Sequence, residues 1–162
     1  MQNVKQGFFK YFLIMVVILV LDQSSKAYLI DYFQSNNNKK YISLMFFLDL
    51  TPIWNQGISF GAFKNYQYAN MLFIFINLFI MVYFVIKFFK QTLSSPIKIS
   101  IILVLSGGIG NVLDRIFRGA VFDFIWFNFY KISFPVFNFA DMSISFGAII
   151  FFYYLIRFKK IF

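Results

Sequence analysis

The chain has no cysteine, no histidine and no glutamate, and its only acids are Asp22, Asp31, Asp49, Asp114, Asp123 and Asp141. Without histidine or cysteine there is no Ser-His-Asp triad, cysteine protease, thiolate or imidazole metal site, or disulfide. Acid-base chemistry is left to Asp, Lys or Tyr. Charge is also scarce, at 13% of residues against roughly 25% in soluble domains. What fills the 162 residues instead is apolar: 60% hydrophobic side chains and a mean hydropathy of +0.73. That balance excludes a disordered chain and a soluble enzyme, and points into a bilayer.

A bilayer core of about 30 Å needs roughly 20 mostly apolar residues per helix. Four stretches qualify, at about 11–30, 69–89, 97–113 and 136–156. They predict an all-α polytopic membrane protein, one integral domain over 1–162. Lys5 and Lys10 before the first run have the look of a signal peptide, but no small-residue cleavage site follows and Asp22-Gln23-Ser24-Ser25-Lys26 lies directly downstream. The segment is read as a retained span.

Sorting cations by side predicts the orientation. Lys5, Lys10, Lys87, Lys90, Lys98, Arg157, Lys159 and Lys160 fall on one side, with no acid among them. Lys39, Lys40, Lys64, Arg115, Arg118 and Lys131 fall on the other, among Asp31, Asp49, Asp114 and Asp123. Both termini are expected in the cytoplasm, with every carboxylate in the outer half. The net charge of +9 then faces anionic lipid, and no nucleic acid is needed to explain it. Of the two external segments, Tyr41–Leu48 reads as short strands forming a small β platform. Val121–Phe127 reads as an interfacial segment.

Charges at membrane depth are costly and default to functional candidates. Asp22 and Lys26, at i and i+4, make a helical ion pair. Ser24 or Ser25 with Lys26 does not make a serine-lysine site, because residues one or two apart on a helix do not face each other. Asn138, Asp141 and Ser145 share one face of the fourth span, and Gly107, Asn111 and Arg115 one face of the third. Ser106 and Gly110 permit close helix approach. Two such stripes near the outer ends of neighbouring spans build a cavity at the membrane boundary. Paired carboxylates in apolar surroundings supply a base and an acid. Asp123, flanked by Val121, Phe122, Phe124 and Ile125, and Asp141, after Phe137 and Phe139, suit that role. Asp114, beside Arg115, is read as ionised and structural, yet remains an alternative member. On these residues alone a transporter or channel with a polar bundle is an equal reading.

Five motifs then resemble the bacterial lipoprotein signal peptidase (signal peptidase II) family: Asp22-Gln23-Ser24-Ser25-Lys26, Asn55-Gln56-Gly57-Ile58-Ser59-Phe60-Gly61, Gly107-Gly108-Ile109-Gly110-Asn111-Val112-Leu113-Asp114-Arg115, Val121-Phe122-Asp123-Phe124 and Phe134-Pro135-Val136-Phe137-Asn138-Phe139-Ala140-Asp141. They occur in the family's order over most of the chain. Ser59, where Ala is frequent, and Phe122, where a second Val is common, are the departures. The resemblance implies an aspartic endopeptidase that removes the signal peptide of diacylglyceryl-modified prolipoproteins, cutting before the lipidated cysteine. It implies Asp123 and Asp141 as the catalytic pair and removes Asp114 from that role. It also implies Asn55, Asn111, Arg115 and Asn138 as substrate-binding residues, with Asp22, Lys26, Gly57, Asp114 and Ala140 in support. No metal or cofactor is expected. The setting is the bacterial inner membrane, with the site outward, membrane lipid around it and the protein monomeric. In this reading the β platform cradles substrate and the segment carrying Asp123 is a lid.

Overall fold

The computed structural model describes residues 2–36, 39–57, 69–90, 93–130 and 132–158. Four helices, α1 (Gln2–Ser35), α2 (Ala69–Lys90), α3 (Ser95–Arg118) and α4 (Phe139–Phe158), surround and support four strands. The strands are β1 (Ile42–Met45), β2 (Leu48–Asn55), β3 (Val121–Phe129) and β4 (Ile132–Ser133). Each helix is long and apolar enough to cross a membrane. Their outward faces carry large apolar side chains, such as Phe75, Phe79, Phe146 and Ile156, with Phe79 77% exposed. Water would penalise that surface, whereas lipid does not.

α3 is the centre of the bundle and touches each of the other helices. Small residues make this possible. A Cβ on Gly107 would lie 2.2 Å from the main-chain oxygen of Ala140, and one on Gly110 would lie 2.7 Å from Asp22 Oδ2 and 3.3 Å from the Ala140 Cβ. α3 and α4 therefore meet almost backbone to backbone where the polar motifs lie, and the Asp22 side chain of α1 reaches the α3 main chain there. Lower down, Leu93, Ile97, Ile101 and Leu105 pack with Met81, Phe84, Phe88 and Tyr154.

The helix limits depart from the expected spans for identifiable reasons. α3 continues past Leu113 to Arg118 because its polar residues find partners inside the protein. It stops where Gly119, at φ +78°, takes the left-handed C-cap conformation. α4 starts at Phe139 instead of 136 because Asn138 caps it. α1 has 34 residues, about 51 Å at 1.5 Å per residue, so it projects beyond the hydrocarbon core. On that projection Leu29 and Phe33 pack against Phe122, Phe124 and Ile125 of the sheet.

The strands form one antiparallel sheet in the order β1-β2-β3-β4. The segment expected as an interfacial lid is β3, an inner strand with Val121 to Ile125 all buried. Its apolar residues occupy both faces of the strand, the pattern of a covered strand. In the β2–β3 pairing, Leu50 lies opposite Ile125, but Ile53 lies opposite Asp123. β2 thus advances three residues while β3 advances two. The extra residue falls at Thr51-Pro52, where proline has no N–H to give to a ladder.

Candidate active site

Asp123 and Asp141 come together through a local device. The main chain of Ile125 exchanges two hydrogen bonds with Phe137, at 2.8 and 3.0 Å. This lays the approach to α4 alongside β3 and brings Asn138 against Asp123. Asn138 is the N-cap of α4: its Oδ1 accepts the Asp141 N–H at 2.9 Å, and Asp141 Oδ2 accepts the Asn138 N–H at 3.2 Å. This reciprocal arrangement is a capping box with amide and carboxylate members. The next free N–H of the helix, that of Ala140, donates to Asp22 Oδ1 at 2.9 Å.

Three asparagine amides supply the remaining donors. Asn55 Nδ2 donates to Asp123 Oδ2 at 2.9 Å, and Asn138 Nδ2 to Asp123 Oδ1 at 2.7 Å. Asn111 Nδ2 donates to Asp141 Oδ1 at 2.8 Å. With the Asn138 N–H, each of the four carboxylate oxygens accepts one hydrogen bond and keeps capacity for another. The bulge in β2 places Asn55 for this. Asn55 lies opposite Val121 and Ile53 opposite Asp123, so the amide and the acid share one face, one diagonal step apart.

Asp123 is 2% exposed. Burial, and next the nearby Asp141 charge, push its carboxyl up to about 7, although bonds from Asn55 and Asn138 and the charge of Lys26 pull it back. The site thus holds a carboxyl that keeps its proton near neutrality beside a second carboxyl with two donors. Such a pair can take a proton from water and give one to a leaving group.

Beneath lies a buried ionic cluster. Lys26 Nζ is 2.8 Å from both Asp22 Oδ2 and Asp114 Oδ2. Arg118 closes on Asp114 Oδ1 from one turn along α3. Two acids and two bases leave no net charge, as a dry site demands. The sequence expectation that Arg115 pairs with Asp114 is corrected: neighbours on a helix point apart, and the partner is Arg118 at i+4. Arg115 instead lies 5.4 Å over the Phe73 ring, with its Nε and Nη1 lacking hydrogen-bond partners.

The structure brings Asn55, Asn111, Asn138, Asp22, Lys26, Asp114 and Ala140 into this network. Gly57 contributes its N–H to Asn55 Oδ1 at 3.0 Å. Ser145 does not belong: it is exposed, and the buried serine of α4 is Ser143, bonded to the Leu103 oxygen. The sequence reading passed over Gln23 and Arg118. Gln23 Nε2 reaches Asp22, the Gly110 oxygen and Asp114, while its Oε1 accepts from Arg118. The i, i+4 spacing of Asp114 and Arg118 was a usable signal, and Gln23 stood in the first of the five motifs, beside Asp22. The Ile58–Gly61 part of the second motif, with Ser59, and Lys64, Lys131, Lys159 and Lys160 lie outside the described residues.

Comparison with known proteins gives consistent matches. The model of a family described as "Signal peptidase (SPase) II" matches residues 14–157. The lipoprotein signal peptidase of Rickettsia akari (strain Hartford) is 40% identical over 139 residues, covering 85% of this chain and 69% of that protein. The one from Rickettsia africae (strain ESF-5) is 41% identical over 141 residues, covering 85% and 68%. Two solved bacterial membrane enzymes, determined in meso at 2.3 and 1.9 Å resolution, superpose with TM-scores of 0.76 and 0.78. Each is 28% identical; they cover 91% of this chain and 88% and 93% of theirs.

Proposed function

The chain belongs to the signal peptidase II family, and from that premise we propose that Asp123 and Asp141 are the catalytic pair of its peptidase reaction. It is a multi-pass membrane peptidase that removes signal peptides from prolipoproteins. The observation that carries the catalytic assignment is the convergence of three amide groups and one main-chain N–H on two carboxylates at one end of α3 and α4.

In the proposed reaction the ionised Asp141 takes a proton from water as the water oxygen attacks the scissile carbonyl carbon. Asp123, which holds its proton near neutrality, gives it to the carbonyl oxygen. Collapse of the tetrahedral diol breaks the C–N bond as the proton taken by Asp141 passes to the leaving amine and one hydroxyl of the diol returns its proton to Asp123, which leaves a carboxylic acid and restores both side chains to their starting forms. Arg115, with donors still unused, suits the developing oxyanion. Asn55, Asn111 and Asn138 orient the pair.

The substrate cut is placed before a cysteine bearing a diacylglyceryl group. An apolar cavity of about 500 Å³ beside the site supports this, lined by residues of α1, the sheet, the approach to α4 and α4 itself that include Leu29, Leu48, Phe124, Phe137, Phe139 and Met142. Acyl chains fit such walls. The chain acts as one domain and a monomer in the bacterial inner membrane, with both termini cytoplasmic and the site outward, as the sorting of cations and acids supports. The deciding experiment is cleavage of a lipidated precursor in detergent by wild type, Asp123→Asn and Asp141→Asn. Both variants should fold and lose cleavage; full activity in either removes that residue from the pair.

A further inference from the structure

Each amide around the two carboxylates must point its NH₂ at an acid, and an amide can flip. For two of them a main-chain N–H prevents this. Gly57 N–H holds Asn55 Oδ1 at 3.0 Å, and Asp141 N–H holds Asn138 Oδ1 at 2.9 Å. Asn111 has no such help, because it lies inside α3, where main-chain N–H groups are used by the helix itself. Its Oδ1 instead faces Lys26 Nζ at 3.4 Å and Asn138 Nδ2 at 3.2 Å. An ammonium has three protons. Two of them satisfy Asp22 and Asp114 at 2.8 Å each, and the third is aimed at Asn111. Flipping the amide would set its NH₂ against that ammonium and its oxygen against the Asp141 carboxylate.

We infer that Lys26 is a positioning residue for the reaction: beyond neutralising Asp22 and Asp114, it locks the Asn111 amide so that Nδ2 is presented to Asp141. This rests on the reading of Asp123 and Asp141 as the catalytic pair. A lysine with a purely ionic duty needs only its two carboxylates. The third contact connects the buried charges to the reacting group through one side chain.

The test uses the full-length protein and keeps the buried charges balanced by working in an Asp114→Asn background. There, Lys26→Met removes charge and donor together, while Lys26→Gln keeps an N–H donor without charge. Lys26→Met should lower kcat about 100-fold relative to Asp114→Asn alone, with KM within about 3-fold, the scale of a misplaced reacting group. Lys26→Gln should recover about 10-fold of that loss, and in an Asn111→Leu background Lys26→Met should cost under about 3-fold, since residues acting through one another are not additive. Equal kcat for the Met and Gln variants, the same loss in both backgrounds, or failure of both balanced variants to fold assigns Lys26 to structure alone and overturns the inference. Loss of the catalytic reading itself would appear separately, as activity retained by Asp123→Asn or Asp141→Asn.

Discussion

Asn138 and Asp141 each accept the other's main-chain N–H, at 2.9 and 3.2 Å. The same two side chains therefore begin a membrane helix and build the proposed reaction centre. Asn138 also donates to Asp123 at 2.7 Å, so capping and chemistry should separate by substitution. Asn138→Ala loses the cap, about 1 kcal/mol, and the donor to Asp123, and should lower activity about 100-fold or more. Asn138→Ser, a good cap without an amide, should recover thermal stability in detergent but not cleavage. Recovery of both would show that the Asp123 contact is dispensable.

The raised Asp123 carboxyl makes a pH prediction with a definite sign. If Asp123 delivers the first proton, kcat/KM should fall as pH rises through about 7, where the acid form of the free enzyme is lost. A flat profile from about pH 6 to 9 would remove Asp123 from that role.

The same group affects stability. Its folded pKa, about 7, exceeds its ordinary value of 3.8, so the folded state binds the proton more tightly. The resulting stability is fully present below about pH 4 and is lost as pH rises to 7. At 1.36 kcal/mol per pKa unit the loss is at most roughly 4 kcal/mol. Asp123→Asn should flatten this slope in thermal melts taken across that range, and an unchanged slope would assign it to other groups.

Close packing at α3 gives a steric prediction. A methyl at Gly107 meets the Ala140 main-chain oxygen at 2.2 Å, whereas at Gly119 it meets nothing within 4 Å. Gly107→Ala should separate α3 from α4 and cost at least about 1–3 kcal/mol, with cleavage lost. Gly119→Ala should cost only about 1 kcal/mol of left-handed backbone strain. Melting temperatures and cleavage of the two variants check the contrast, which equal losses would refute.

The bulge at Thr51-Pro52 predicts an effect from a residue remote from the chemistry. Deleting Pro52 should make the pairing continuous with Asn55 still opposite Val121 and activity kept, whereas inserting an alanine after Ile53 should shift Asn55 by one and turn it to the opposite face, lowering activity as far as Asn55→Leu does. Pro52→Ala keeps the register and should stay active. Near-normal cleavage by the insertion variant would show that the register of β2 does not set Asn55.

The four spans, the buried polar residues and the Asp22–Lys26 pair were legible in the sequence because bilayer thickness and the cost of charge in lipid act on local composition. So was the strand character of 41–48, seen as β1 and the start of β2. That 121–129 is an inner strand was not legible, because a buried strand and an interfacial segment share one composition; only its pairing on both sides shows it. Asp114 was given the wrong arginine because adjacency in sequence is not adjacency on a helix. Gln23 was missed because its importance lies in partners some 90 positions away.

By itself the sequence determined the solvent in which this protein folds, the limits of its chemistry and which carboxylates lie in apolar settings. Each depends on residue type and near neighbours. Tertiary structure alone decided that Asn55 shares a face with Asp123, that Asp22 caps α4 and that Lys26 reaches Asn111. A strand register shifted by one bulge residue and hydrogen bonds between separate helices depend on how distant segments meet, and no local pattern encodes that meeting.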